Sequence, residues 1–258
     1  MMGRIIKYEW KALWRSFLVS WLILLFAAFF VRAQGIHLYS YIMTGSGLFF
    51  LFYFCIAAAI SCILMILLIR RLYRTLYGRA GTVTNTLPLS AGELLRGKIV
   101  SQSLLLLVTG ILILLSLLIV MSGFTSGMEG ALYSLGDLFL MMLYSSGAFL
   151  GAAALLYVFL IPAKIVTGIV TVLTLGQLFR KHKIAGAVGV YLVVQLILDL
   201  ITLLIEQLLF MIFPTASYEL TAFAAELPGA LLVIFGGYLL SRWLLSRKLD
   251  LCVPFSAR

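Results

Sequence analysis

The sequence is poor in the residues that build metal, redox and nucleophilic sites. Its two histidines, His37 and His182, stand apart without the spacing of metal ligands, and no H-E-x-x-H zinc motif is present. Cys55 and Cys62 lie seven positions apart on one predicted helix, with Cα atoms about 10 Å apart, which is beyond bridging distance. Ser46, in T-G-S-G, lacks the preceding glycine of a rhomboid-like nucleophile site. These absences argue against a metalloenzyme, a disulfide-stapled domain and an intramembrane protease.

Acidic residues are also few, 9 against 19 lysines and arginines, which gives a net charge of +10. Apolar residues make up 64% of the chain and the mean hydropathy is +1.16, whereas soluble domains are about one half apolar. The chain is therefore predicted to be an integral membrane protein. Its basic residues lie where membrane orientation requires them, so the positive charge does not indicate a nucleic-acid partner.

Six apolar runs predict an all-α membrane protein with six transmembrane helices and both termini in the cytoplasm. This topology leaves only Arg32 and Lys164, of all the basic residues, outside the cytoplasmic side. Four external segments are predicted: a short turn over 32–40, a loop over 122–136, an external or shallowly inserted helix over about 137–150, and a loop over 214–228. The predicted spans are residues 16–31, 41–69, 99–121, about 151–179 with a break at Pro162, 184–213 and 229–245.

The N-terminal residues 3–15 place tryptophans on one helical face and basic residues around the rest. This pattern predicts an amphipathic helix in the membrane interface, with Trp10 and Trp14 at headgroup depth. A plain basic flank to the first span is the alternative interpretation. Because no small-residue cleavage site follows, the segment is predicted to be a retained anchor rather than a signal peptide.

The longest polar interval between apolar runs is 70–98, which carries six basic residues and one acid. On the positive-inside rule it faces the cytoplasm. Ser90 and Glu93 form a capping-box pattern that predicts a helix start, and Gly78 is placed to end the incoming helix. A near-match to a phosphate-binding loop at Gly92 to Ile99 lacks the Ser or Thr after the lysine and a preceding strand, so nucleotide binding is not predicted there.

Ionisable residues inside the predicted spans are rare and mark a second candidate site. Lys164 and Asp199 each lie sixteen residues, about 24 Å of helix, from the basic cluster at 180–183, which predicts an ion pair between them. The pair is either structural or part of a substrate path. The polar stripe on the fifth span keeps to one helical face. Its members are Gln195, Asp199, Thr202 and Glu206.

The run L-Y-G-R-A-G-T-V-T-N-T-L-P-L-S at residues 76–90, with Lys98 after it, resembles the loop between the second and third helices of ABC transporter permeases of the type-2 export class. The loop departs from the family in one respect: Arg79 and Ala80 stand where many members carry an acidic residue. A second patch, L-G-Q-L-F-R-K-H-K at Leu175 to Lys183, is similar to the same family. The resemblance implies a single permease domain over 1–258. Its implied parts are an elbow helix at 3–15, spans one and two at 16–69, a coupling loop at 70–98, spans three and four at 99–179, and spans five and six with the tail at 180–258.

The resemblance also implies the partners. Such a permease is not an enzyme; ATP and Mg²⁺ bind to a separate cytosolic ATPase dimer, and a second permease, identical or homologous, completes the path through a bacterial plasma membrane. It implies export, with a lipophilic, peptide-like or antimicrobial compound as the substrate class. An ATPase-independent channel or membrane sensor is the alternative. The residues implied to couple to the ATPase are Tyr73, Leu76, Tyr77, Arg79, Thr86, Leu87, Pro88 and Ser90.

Overall fold

The computed structural model describes residues 2–38, 45–77, 91–124, 148–179, 183–212 and 218–248. Within these ranges the secondary structure is helical, and six helices are long and apolar enough to cross a membrane. For the described residues, the prediction of an all-helical fold with six helices suited to cross a membrane is therefore confirmed. The helices are α1 (Met2–Leu38), α2 (Gly45–Leu76), α3 (Ala91–Phe124), α4 (Ala148–Gly176), α5 (Lys183–Ile212) and α6 (Tyr218–Lys248).

The helix boundaries around the basic segment agree with the sequence pattern. α3 begins at Ala91, directly after the predicted cap Ser90, and α2 ends at Leu76, two residues before Gly78. Residues 3–15, predicted to form a separate elbow, are the first part of α1, which continues without interruption to Leu38. Their position in the membrane interface stays a prediction. Of the helix predicted over 137–150, only the last three residues are described, and they belong to α4.

Two expectations based on proline were wrong. α4 is continuous across Pro162, where a break was predicted. α6 begins at Tyr218 and contains Pro228, so much of the predicted external loop 214–228 is helical, including Glu226. Proline removes one backbone hydrogen bond, but transmembrane helices tolerate it because neighbouring helices and local adjustments satisfy the freed carbonyl.

The helices divide into two compact units. The N-terminal unit contains α1 from Lys7, α2 up to Arg70 and α3 from Leu104. The C-terminal unit contains the first residues of α1 up to Ile6, the ends of α2 and α3 nearest the basic segment, and α4, α5 and α6. The N-terminal unit has an apolar core to which α1 contributes residues three and four positions apart, which is one helical face. That face consists of Leu13, Phe17, Trp21, Leu24, Ala28 and Val31.

Two buried hydrogen bonds fix α3 within the N-terminal unit. Trp21 Nε1 donates to Thr109 Oγ1 at 3.2 Å, and the Thr109 hydroxyl donates in turn to the carbonyl of Leu105. The hydroxyls of Tyr53 and Ser116 are 2.6 Å apart. Since Ser116 donates its proton to the carbonyl of Ile113, Tyr53 is the donor. Both pairs satisfy polar groups that would be costly alone in an apolar interior.

In the C-terminal unit α4 and α6 run parallel. Three pairs of residues in contact have nearly the same difference in residue number, 65 to 67, so the two helices advance in the same direction. These pairs are Gly168 with Val233, Thr171 with Gly237, and Thr174 with Ser241. Because α5 is joined to both helices by short connections and packs on both, it runs antiparallel to them. This agrees with one crossing for each of the three helices, as the charge distribution predicts.

Small and hydroxylated residues line the contact between α4 and α6. Thr174 and Ser241 have their hydroxyl oxygens 3.3 Å apart, and the Ser241 hydroxyl also lies 3.4 Å from that of Thr171. A Cβ added to Gly237 would lie 2.6 Å from Thr171 Oγ1, so glycine is needed for this approach. Close backbone packing through small residues is the usual way in which membrane helices associate.

Candidate functional site

The end of α2 is the first of two described parts of the predicted coupling loop 70–98, and the start of α3 is the second. Tyr73 is 39% exposed, and its ring lies 6.1 Å from that of Tyr77, whereas Leu76 is 7% exposed and packs inward. Among the described residues that were expected to contact an ATPase, Tyr73 is therefore the most accessible to a partner. The others lie outside the described residues: Arg79, Thr86, Leu87, Pro88 and Ser90.

The start of α3, which is the last part of the predicted coupling loop 70–98, is held against α6. Arg96 Nε donates to Tyr238 Oη at 2.7 Å, and the Arg96 guanidinium lies 5.4 Å from the centre of the Tyr238 ring. At Gly92 an added Cβ would come within 3.1 Å of Arg242 Nε. The basic beginning of α3 and the basic end of α6 thus lie together at one end of the C-terminal unit. No feature of the sequence identified Tyr238 as part of this site.

A charged cluster joins α4 to α6 within the membrane-spanning stretch. Lys164 Nζ is 2.5 Å from Glu226 Oε2, and the Tyr157 hydroxyl lies 3.3 Å from the same oxygen. Lys164 also sits 5.3 Å from the centre of the Tyr157 ring, which adds a cation–π contact. The Lys164 and Glu226 side chains are 21% and 33% exposed. The structure therefore pairs Lys164 with Glu226, and the predicted pair of Lys164 with Asp199 is corrected.

Sequence reasoning missed Glu226 because Pro228 was interpreted as the boundary of an external loop. The signal was nevertheless present: Glu226 precedes Arg242 by sixteen residues, the same distance that separates Lys164 from Arg180. Each charge is thus about 24 Å of helix from a basic residue near the same end. Depth along the helices therefore does not show whether Lys164 pairs with Asp199 or with Glu226.

The polar stripe on α5 does not point in one direction. Gln195 Nε2 donates to Asp199 Oδ1 at 2.8 Å, and this pair is exposed. Thr202 instead faces α6, since its hydroxyl would lie 3.6 Å from a Cβ on Gly229. Glu206, one turn further, has one buried carboxylate oxygen without a hydrogen-bond partner. Thr202 therefore approaches the helix that carries Glu226, whereas the Gln195–Asp199 pair is exposed.

Comparison of the chain with protein-family models, curated proteins and solved structures finds no match. Among the described residues no group of His, Cys, Asp and Glu side chains has the geometry of a metal site. The described residues provide a basic end where the start of α3 meets α6, and a charged cluster at Glu226, 12 residues or about 18 Å along α6 from Tyr238.

Proposed function

We propose that the chain is the membrane-spanning subunit of an ATP-driven exporter of the type-2 ABC class. Two such subunits form the path, and two cytosolic ATPase subunits, which bind ATP and Mg²⁺, grip the basic segment between α2 and α3. The chain itself carries no catalytic role and works in a bacterial plasma membrane with both termini in the cytoplasm. Six apolar helices and the sequence resemblance at residues 76–90 support this proposal.

The observation that carries the proposal is the contact of Arg96 with Tyr238. A coupling segment needs a mechanical connection to the spans, and the first turns of α3 make one by holding α6. α6 also carries Glu226, which pairs with Lys164 on α4. A force applied before α3 thus has a continuous route into the membrane part of the C-terminal unit.

The proposal is tested by capture of the ATPase. The full chain, tagged and purified from the membranes of its source in mild detergent, is expected to retain soluble subunits that hydrolyse ATP in the presence of Mg²⁺. A preparation without such subunits, from membranes shown to contain the chain, would contradict the exporter proposal. A channel or a membrane sensor, neither of which needs an ATPase, would then be the better proposal for this chain.

Replacing Tyr73 by Glu should abolish this capture. Tyr73 is exposed beside Arg74 at the basic end of α2, and an aromatic anchor at an interface commonly contributes 2 kcal/mol or more, about 30-fold in affinity. We expect the ATPase activity of the purified fraction to fall at least tenfold while the yield of the chain is unchanged. Leu76 is unsuitable for this experiment, because it is buried and a glutamate there would disturb folding.

The matched control is Tyr8→Glu, the same change at an exposed tyrosine in the basic N-terminal stretch. It lies on the same predicted side of the membrane, and capture of the ATPase should persist. Equal capture by the Tyr73→Glu variant and the parent chain would show that the end of α2 does not contact the ATPase.

A further inference from the structure

We infer that Arg96 and Arg242 bind the phosphate group of an anionic phospholipid in the cytoplasmic leaflet of the membrane. Together with Tyr238 and Gly92 they are here called the arginine cluster. All four residues lie on α3 and α6 within the C-terminal unit. Of the proposed function the inference uses only the membrane orientation, which places this end of the helices at the cytoplasmic surface.

Tyr238 holds the Arg96 side chain in place and leaves most of its donors for a ligand. Arg96 Nε donates to the Tyr238 hydroxyl, which in turn donates to the carbonyl oxygen of Gly92 at 3.5 Å. The guanidinium also lies over the Tyr238 ring. These contacts use one of its five N–H groups. The four N–H groups on the two terminal nitrogens are sufficient to bind a phosphate in bidentate geometry.

Arg242 brings a second guanidinium to the same place. The Cβ position of Gly92 lies 3.1 Å from Arg242 Nε and 3.3 Å from Tyr238 Oη, and that hydroxyl oxygen is 2.7 Å from Arg96 Nε. The two Nε atoms are therefore no more than about 9 Å apart. Since an N–H···O bond is about 2.9 Å long, one phosphate group can accept hydrogen bonds from both arginines.

The chain does not supply the negative charge that two neighbouring guanidinium groups attract. Among the residues that the structure describes, no carboxylate pairs with Arg96 or Arg242. The segment 78–90, which precedes α3, contains no Asp or Glu. Only three acidic side chains are predicted on the cytoplasmic side, against seventeen of the nineteen lysines and arginines. These acids are Glu9, Glu93 and Asp250. The counter-charge of the arginine cluster therefore comes from outside the chain.

The depth of the arginine cluster favours a lipid over a soluble anion. Arg96 and Arg242 lie five and six residues inside the ends of α3 and α6, about 8 Å and 9 Å of helix. Trp243 follows Arg242, and tryptophan is enriched at the level of the headgroups. Leu239 and Phe235 continue the helical face of Arg242 towards the membrane interior, at spacings of three and four. A ligand with a phosphate and acyl chains matches this order of charged and apolar groups, and basic pockets between helices on the cytoplasmic side bind lipid headgroups.

Native mass spectrometry of the full chain measures this binding. The chain is purified in mild detergent without any ATPase, freed of co-purified lipid, and titrated with dioctanoyl phosphatidylglycerol. We expect one lipid per chain to bind in preference to any further copies. Its affinity should be at least tenfold higher than that of dioctanoyl phosphatidylcholine, because the choline group neutralises the phosphate charge that the arginines recognise.

Three variants and a matched control locate the site. Replacing Arg96 and Arg242 together by Gln should weaken phosphatidylglycerol binding at least tenfold, because both charge-assisted bonds are lost. Replacing both by Lys keeps the charge without the bidentate geometry and should weaken it less. Tyr238→Phe leaves the charge unchanged but removes the hydroxyl that orients Arg96, and should weaken binding about fivefold. The control replaces Arg70 and Arg74, one turn apart at the end of α2, by Gln and should change the affinity less than twofold.

Each variant is first shown to give the monodisperse size-exclusion peak of the parent chain; if the Gln variant does not, the Lys and Phe variants decide. Equal affinity for the two lipids, equal losses in the Gln variant and its control, or displacement of the lipid by inorganic phosphate would each overturn the inference. Unchanged lipid binding with loss of ATPase capture would assign the arginines to the ATPase and overturn it too. Because lipid binding is measured without an ATPase, either proposal can fail while the other stands.

Discussion

Replacing Glu226 by Gln is expected to lower the stability of the chain strongly, because it breaks the ion pair between α4 and α6. The Lys164 ammonium would lose its counter-charge inside the membrane-spanning stretch, and breaking a buried pair costs about 3 to 5 kcal/mol. A third of the Glu226 side chain is exposed, so we expect the low end, about 3 kcal/mol. At about 2 to 4 °C per kcal/mol, the unfolding midpoint should fall by roughly 6 to 12 °C.

The measurement is the temperature at which the detergent-solubilised chain loses its monodisperse size-exclusion peak. The exchanged pair, Lys164→Glu with Glu226→Lys, should recover most of the loss because the two charges face each other again. Asp199→Asn, which does not affect this pair, serves as the control and should shift the midpoint by less than the Glu226 variant. An exchanged variant no more stable than Glu226→Gln would contradict the pairing.

The same pair allows its structural and functional roles to be separated. Replacing Lys164 and Glu226 together by methionine should preserve stability, because apolar residues of similar size usually substitute for a buried ion pair without cost. Transport by that stable double variant then decides the question. Normal transport assigns the pair to packing alone, whereas loss of transport assigns it to the path or its motion.

Gly237→Val should separate α4 from α6. Its Cβ would lie 2.6 Å from Thr171 Oγ1 and 3.4 Å from Thr167 Cγ2, so one of the two helices must shift. Overpacking of this kind costs about 1 to 3 kcal/mol, and we expect the upper end because three heavy atoms are added where the first already clashes. The unfolding midpoint, measured as above, should fall by roughly 4 to 10 °C.

The chain provides a close control for this change. Gly236 lies one position earlier in the same helix, and a Cβ there would meet no atom within 4 Å. Gly236→Val should therefore leave the midpoint nearly unchanged. Thr171→Ala removes the oxygen that clashes and should restore part of the stability of Gly237→Val. Equal effects at the two glycines would show that α6 presents a different face to α4.

The sequence predicted the helices well because apolar length and capping chemistry are local properties. The start of α3 after Ser90 is an example, since a side chain and the backbone three residues later are sufficient to define it. The errors at Pro162 and Pro228 have one cause. Proline breaks helices strongly in water, and the neighbouring helices that permit it in a membrane cannot be inferred from a local pattern.

The pairing inside the membrane could not be predicted because helix rotation leaves little trace in an apolar sequence. α5 carries apolar residues on every side, so nothing in its composition shows that Asp199 points away from α4. Gly236 and Gly237 are a second example. The two glycines are adjacent and identical in sequence, yet only Gly237 faces Thr171. Depth along each helix can be counted from the sequence; direction around the helix requires the packed structure.

The close approach of Gly237 to Thr171 has a mechanical consequence for α6. Gly237 immediately precedes Tyr238, which Arg96 holds, so these two contacts fix α6 at nearly one point, and a tilt of α6 would turn about that point. Arg242 is five residues from this point and Glu226 eleven, about 7 Å and 16 Å along the axis. As a rigid lever, α6 would swing its Glu226 end about twice as far as its Arg242 end, and in the opposite direction.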